Sequence, residues 1–476
     1  MRRRQPLILA IDLGTSSVRT ALFDGAARPI VGSNASRKYR VRYTPEHGAE
    51  LDPATLLRAT RAALLESLRL AKGAPDAISG SCFWHSLLGL DRAGKPLTPI
   101  YTWADARGTE DAARLRAEFD EHEIQQRTGC MLRASFWPAK LRWLGRTQPG
   151  LFRRVSRWVS PAEWIFEKIW ETSSCSHSMA SATGLYHLAR RDWDDELLEA
   201  CRLTRAQVGE FDDVVPSRGS KIFPAIGDGA AGNLGSGATR AGLVAINGGT
   251  SAAVRSVAPV GARLPFGLFQ FVIDPKRTLL GGAVSNAGNL RAWARRELHL
   301  PNDDREIERI LSTASSRADN LTILPFWATE RAPTWPENLS GTILGLSQTT
   351  TAADILTAAL EAVFYRLADI LEMLERSVGR ATKIIVSGGI LQSPASLQLL
   401  ADSLGRDLEV CNDQEASLRG AAIYALEQLG QKIPPLRFER RIRHNRARSR
   451  HAAEQRARQK ALETLLSNWN QADTPS

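Results

Sequence analysis

One segment of this chain occurs twice, and that constrains the fold more than any other feature. Leu9-Ala-Ile-Asp-Leu-Gly-Thr-Ser-Ser-Val-Arg19 stands near the start, and Val244-Ala-Ile-Asn-Gly-Gly-Thr-Ser-Ala-Ala-Val-Arg255 stands in the second half. Each runs from an apolar strand into a tight Gly-Thr-Ser turn and out into a second β-prone segment, Thr20 to Phe23 or Val254 to Val257. Gly14 and Gly249 are 235 residues apart in a chain of 476, the offset that a duplicated domain gives.

Two cores are also what a chain of this length needs. Its apolar content of 43% suffices to fill them. No stretch approaches the roughly 18 uninterrupted apolar residues of a membrane helix. The opening Met-Arg-Arg-Arg resembles a signal peptide, but the apolar run ends at Asp12 and no small-residue cleavage site follows, so a buried first strand is expected. Cys82, Cys130, Cys175, Cys201 and Cys411 lie far apart with no pair at metal or redox spacing, which points to a reducing cytoplasm and no transition metal. The net charge is +11, yet residues 437–460 carry ten Arg and Lys against two Glu, and Arg2 to Arg4 add three more cations. The rest of the chain is close to neutral. A basic footprint confined to the ends reads as a solvated helix face, so neither specific nucleic acid nor membrane is an expected partner.

Helical periodicity appears at 53–70, 108–120, 138–146, 286–298, 352–376, 393–404 and 416–429, and strand patterns at 77–83, 278–284 and 382–386. This alternation indicates α/β layers. The expected domains are 1–240 and 241–435, with a cut after the Gly-rich segment 227–237. A basic terminal segment, 436–476, follows; its residues 437–466 read as a helix with Leu462, Leu465 and Leu466 able to dock.

Several turns carry groups suited to phosphates and polyols. In Asp12-Leu-Gly-Thr-Ser-Ser17, Gly14 allows close approach, Thr15 and Ser16 offer donors, and Asp12 suits Mg²⁺ held through water. Gly249 and Thr250 offer a second set of donors. No GxxxxGK[ST] motif occurs, which excludes a P-loop enzyme. Gly227-Asp-Gly-Ala-Ala-Gly232 matches the dinucleotide fingerprint in letters, but an acid between the first two glycines repels a pyrophosphate, and more glycines follow instead of an amphipathic helix. Asp228 suits a general base on a Gly-flanked turn, beside Gly229; an ordinary Asp-Gly turn is the plain alternative. Trp84 with His85, and Trp103 with Asp105 and Arg107, combine flat rings and bidentate polar groups as polyol sites do. Core packing is the plain alternative for His85 and for Trp103. Gly388-Gly389 follows the strand Lys383 to Ser387 and permits a nucleotide near the backbone.

Taken in order, these motifs resemble the FGGY carbohydrate kinases, and among them the gluconate and xylulose kinases. The resemblance runs from about Leu7 to Gly430 and includes Ser178-Met-Ala-Ser-Ala-Thr-Gly-Leu185, Glu330-Arg-Ala-Pro-Thr-Trp335, Gly341-Thr-Ile-Leu-Gly-Leu346 and Glu415-Ala-Ser-Leu-Arg-Gly-Ala-Ala422. It implies two actin-like, ribonuclease H-like domains with ATP and sugar in an inter-domain cleft. It implies Asp228 as catalytic base and Trp84, His85, Trp103, Asp105 and Arg107 as sugar contacts. Thr15, Ser16, Arg19 and Thr250 fall on the phosphate side, and Gly288 and Gly389 against the nucleotide. Ser176, Phe271-Val272, Leu132 to Ser135 and Ala292 depart from the family's usual residues and leave the substrate open.

The expected reaction is in-line transfer of the ATP γ-phosphoryl to a sugar hydroxyl, with Asp228 accepting its proton and Mg²⁺ balancing phosphate charge. A gluconate-like acid or a pentulose is the expected acceptor; xylulose, ribulose, glycerol or erythritol are alternatives. Rival classes are a sugar-responsive relative without catalysis, against which Asp228 argues, and an actin-like ATPase, which leaves the Trp84-His85 and Trp103-Arg107 clusters without a role. Self-association as a homodimer is left open.

Overall fold

The computed structural model describes residues 5–71, 73–172, 174–215, 219–313, 320–412, 415–438 and 440–472. The chain forms two compact units: Met1–Thr239 with Ala258–Leu279 and Glu415–Leu436, and Arg240–Val257 with Leu280–Gln414 and Arg437–Ser476. The chain leaves the first unit after Thr239 and returns to it twice.

In the first unit, the sheet order is Lys221–Gly227, Ala77–Cys82, Ile8–Leu13, Ser17–Phe23, Ala35–Lys38. Ile8–Leu13 runs antiparallel to Ser17–Phe23 and parallel to Ala77–Cys82, which is parallel to Lys221–Gly227. All six residues of Ile8–Leu13 are buried, as a strand covered on both faces requires. Asp52 caps the helix Pro53–Leu68 by accepting from the Ala54 and Thr55 amides, and Leu56, Ala63 and Leu64 turn inward. The helix Ala416–Gln428 lies on Ile8–Leu13 and Ala77–Cys82.

The second unit repeats this order with Leu408–Val410, Lys383–Ser387, Leu243–Gly248, Ala252–Pro259 (to Val257) and Arg277–Val284 (from Leu280 on). Again an antiparallel hairpin is followed by parallel neighbours. The repeated segment is thus the visible part of a duplicated topology. The helix Ala352–Val378 begins in a capping box of Thr351 and Asp354 and buries Leu356, Leu360, Val363, Leu367 and Leu374 along one stripe.

Two segments differ from their sequence readings. Residues Asp228–Gly235 form a helix, not a glycine-rich turn. The basic terminal segment first makes a strand, Arg440–Ile442, antiparallel to Leu408–Val410, and turns helical only at Arg446. That helix, Arg446–Ala472, is docked: Leu462 is buried with Leu324 and Phe326, and the Gln459 amide donates to Ile323 O (2.8 Å) and Ala362 O (3.0 Å). Leu466 is partly buried against the same cluster, whereas Leu465 is exposed. Part of its basic charge is matched within the unit, Arg456 by Asp369 and Glu372, Lys460 by Asp369 at 2.7 Å, and Arg441 by Asp407 at 2.8 Å. All five cysteines are buried free thiols. Among the described residues no helix is long and apolar enough to cross a membrane.

Candidate active site

Three parallel strands of the first unit end together. Gly227 and Leu13 both stand in register with Cys82, so Asp228, Phe83-Trp84 and Gly14 leave the sheet on one rim. At about 4.8 Å per strand, the outer two exits are roughly 10 Å apart. The crevice outside such carboxyl ends is where open α/β sheets bind ligands.

Asp228 opens its helix and accepts from the Gly229 amide at 2.8 Å. An acid in the first turn suits the positive end of the helix dipole. Gly227, just before it, leaves space for the Trp84 indole, since a Cβ there would fall 1.6 Å from the ring. Trp84 is buried beneath the rim and donates from Nε1 to Ser178 O at 3.1 Å. Phe271 packs edge-on against it at 4.7 Å. Phe271 thus fills with an apolar ring one of the positions that departs from the family. His85 has φ +64 and bonds through Nδ1 to Ala182 O at 2.6 Å. A carbonyl only accepts, so Nδ1 carries the proton.

Trp103 is half-buried on the neighbouring loop. Asp105 and Arg107 face each other, with Arg107 Nη2 to Asp105 Oδ2 at 2.5 Å and Arg107 Nη1 to Glu50 Oε1 at 2.9 Å. Asp105 also accepts from the Ala49 amide at 2.9 Å. These two residues set the shape of the loop. Glu50 was not marked by any motif; its partner Arg107 lies 57 residues along the chain, and only the fold joins them.

Asp12 is buried and bonded by the Ser81 hydroxyl and by Arg19, which also reaches Glu415 at 2.8 Å. Burial works against the Arg19 charge, but Asp12 and Glu415 outweigh it and hold the guanidinium protonated more firmly than usual. Burial, then the charges of Asp228 and Asp12, push the Cys82 thiol well up. The Asp12 carboxylate has about four acceptor positions, and two partners leave some open. Mg²⁺ takes one or two carboxylates, several waters and substrate phosphates, so a water-mediated ion fits Asp12. Bound there, it would balance phosphate charge. Beside Asp12, the turn is set by Gly14 N to Ser17 O (2.9 Å) and by Tyr39, whose amide donates to Ser16 O at 3.0 Å; Ser16 is exposed and Thr15 half-buried.

The second unit carries its own cavity, about 620 Å³, lined by Gly249, Thr250, Gly288, Gly389, Arg291 and Phe364 among others. Gly249 and Thr250 form the turn of the repeated hairpin. The helix Gly288–Glu297 starts against it, Gly288 N donating to Gly249 O at 3.0 Å and Asn289 N to Thr250 O at 3.2 Å. The start of this helix is thereby tied to the hairpin turn, and both line the cavity. Gly388 lies behind the cavity with φ +91, and a Cβ there would stand 2.6 Å from Gly248 O. Of the nine residues expected at ATP, Gly249, Thr250, Gly288 and Gly389 line this cavity, whereas Gly14, Thr15, Ser16 and Arg19 stand on the first unit. Arg291 and Phe364 were missed, since a helical arginine or phenylalanine has no motif of its own.

Two sheets of one topology, each ending in a ligand-ready rim, define the two-domain actin-like fold of the sugar kinases. Gluconate kinase from Lactobacillus acidophilus superposes with a TM-score of 0.90 at 24% identity, over 97% of this chain and 98% of that one. Xylulose kinase from Rhodospirillum rubrum gives 0.86 at 22% identity, over 98% and 99%. The chain belongs to the FGGY family of carbohydrate kinases, whose N-terminal domain matches residues 7–249 and C-terminal domain residues 244–428. It is an ATP-dependent carbohydrate kinase. Gluconokinase of Bacillus subtilis (strain 168) is 29% identical over 461 residues, 89% of this chain and 88% of that protein.

Proposed function

We propose that the protein transfers the γ-phosphoryl of ATP to a hydroxyl of a gluconate-like sugar acid or a pentulose, with Asp228 as general base. The placement of Asp228 carries this reading: it opens a helix at the carboxyl end of the sheet, on the same rim as Asp12 and the phosphate-type turn. The sugar is held by the first unit, against His85 and the Trp103 loop, with Trp84 as the floor. The substrate hydroxyl donates to Asp228, which takes the proton as the oxygen becomes nucleophilic. ATP is held in the glycine-lined cavity of the second unit, beside the turn at Thr250. Mg²⁺, which Asp12 would hold through water, would supply charge balance to the phosphates. The preference for gluconate draws on the Bacillus subtilis relative.

The test is ATP consumption over gluconate, xylulose, ribulose, glycerol, fuculose and erythritol at millimolar concentration. Gluconate or a pentulose is expected to give the highest kcat/KM. Absence of polyol-stimulated ADP release from all six contradicts the reading.

A further inference from the structure

Lys140 lies on the helix Trp137–Thr147 and is fully buried. A buried ammonium group is rare unless acceptors around it answer its charge. Its Nζ donates to the main-chain carbonyl of His85 at 3.3 Å and to that of Ser135. His85 sits on the turn that leaves Ala77–Cys82, and Ser135 in the loop just before the helix. The turn is tied at neighbouring points by Trp137 Nε1 to Ser86 O (3.2 Å) and Trp84 Nε1 to Ser178 O (3.1 Å). His85 itself occupies the left-handed region, at φ +64, which a histidine keeps only when its surroundings hold it. Lys140 is the charged group on the carbonyl of that residue.

We propose that Lys140 is the positioning residue of the polyol rim. Its ammonium group joins the turn bearing Trp84 and His85 to the loop Leu132–Ser135 and fixes where the imidazole meets the substrate. The role rests on the assignment of this rim to the sugar. Burial lowers the Lys140 pKa to about 7, with Asp105 working in the other direction. The other charged groups of the surrounding elements are engaged elsewhere: Arg107 with Asp105 and Glu50, Arg133 with Glu121, Arg142 with Glu118, and Arg146 with Asp111. His177, on the helix His177–Ser181, is bonded to the Tyr186 hydroxyl, and His85 is the residue being held. The amine is therefore charged below about pH 7 and neutral above it. Charge-assisted hydrogen bonds are about twice as strong as neutral ones, so the ties loosen on the alkaline side.

The experiment uses the full chain, with Lys140→Met and Lys140→Gln. Sugar KM and ATP KM are measured, together with gluconate and xylulose binding by calorimetry without nucleotide from about pH 6 to about pH 9. Lys140→Met is expected to raise sugar KM roughly ten- to hundred-fold, as a small misplacement of a contact group does. ATP KM stays within about twofold, and Lys140→Gln, which keeps two donors without the charge, falls between. In the parent the sugar Kd rises through an apparent pKa near 7, and the rise is absent from both variants. A parental sugar KM in Lys140→Met, or equal losses toward sugar and ATP, overturns the proposal. So does a sugar Kd in the parent that is flat across the range, and this needs no variant to fold. A parent that binds and turns over none of the polyols contradicts the assignment of the rim itself, a different result.

Discussion

Gly235 and Gly420 meet where the helices Asp228–Gly235 and Ala416–Gln428 cross, and neither leaves space for a methyl group. A Cβ on Gly235 would fall 1.7 Å from Ala416 O, and one on Gly420 1.7 Å from Ala231 O. The obstructing atoms are backbone, so neither side chain can yield. Gly420→Ala must force the helices apart, and the expected cost is about 1–3 kcal/mol or more, read from urea unfolding. Because the displaced helix begins at Asp228, kcat is expected to fall as well, although residue 420 lies far along the chain from the base.

Asp12 gives a metal test. Asp12→Ala removes the carboxylate shared by Ser81 and Arg19. The Mg²⁺ concentration for half-maximal turnover is expected to rise roughly tenfold at fixed ATP, the scale of one lost metal-site contact. Sugar binding measured without nucleotide stays near the parental value. An unchanged Mg²⁺ requirement removes Asp12 from the metal's surroundings.

Gly388→Ala probes the nucleotide side alone. At φ +91 and ψ −166 the residue occupies a region open in practice to glycine only, and strain there is about 1–3 kcal/mol. ATP KM is expected to rise at least several-fold, with the calorimetric sugar Kd unaltered. Equal weakening toward both ligands contradicts the separation of the two sites.

The terminal helix is predicted to be structural. Leu462→Asp places a carboxylate against Leu324 and Phe326 and is expected to cost about 2–4 kcal/mol in unfolding measurements. Leu465→Asp, at an exposed position three residues on, stays within about 0.5 kcal/mol. A Leu462→Asp protein as stable as its parent means that the helix does not depend on this docking.

What was legible in the sequence was local. The repeated hairpin, the caps and the 3.6-residue stripes of helices such as Ala352–Val378 depend on near neighbours, and their positions follow from pattern alone. The helix at Asp228 was not legible, because Asp-Gly-Ala-Ala-Gly-Asn-Leu-Gly has poor helix propensity; its last glycine, Gly235, is required by the crossing with residues 416–428. Arg440–Ile442 reads as part of a basic helix because its strand character comes from pairing with Leu408–Val410. Lys140 and Glu50 carry no motif: a lysine in Ala-Lys-Leu-Arg looks solvated until the fold closes over it. The site followed the same rule. Glycine turns and the Asp228 position were visible, whereas the groups that hold them in place were not.

The central claim is that Asp228 is the base of a polyol kinase. Asp228→Asn keeps the size and most hydrogen bonding of the side chain but cannot take a proton. Under the proposed mechanism kcat falls roughly 10²- to 10⁴-fold, the usual contribution of a general base, with gluconate and ATP affinities retained and the melting temperature little changed. A variant that turns over within about tenfold of its parent would show Asp228 to be an ordinary first-turn helix acid and contradict the account of the chemistry.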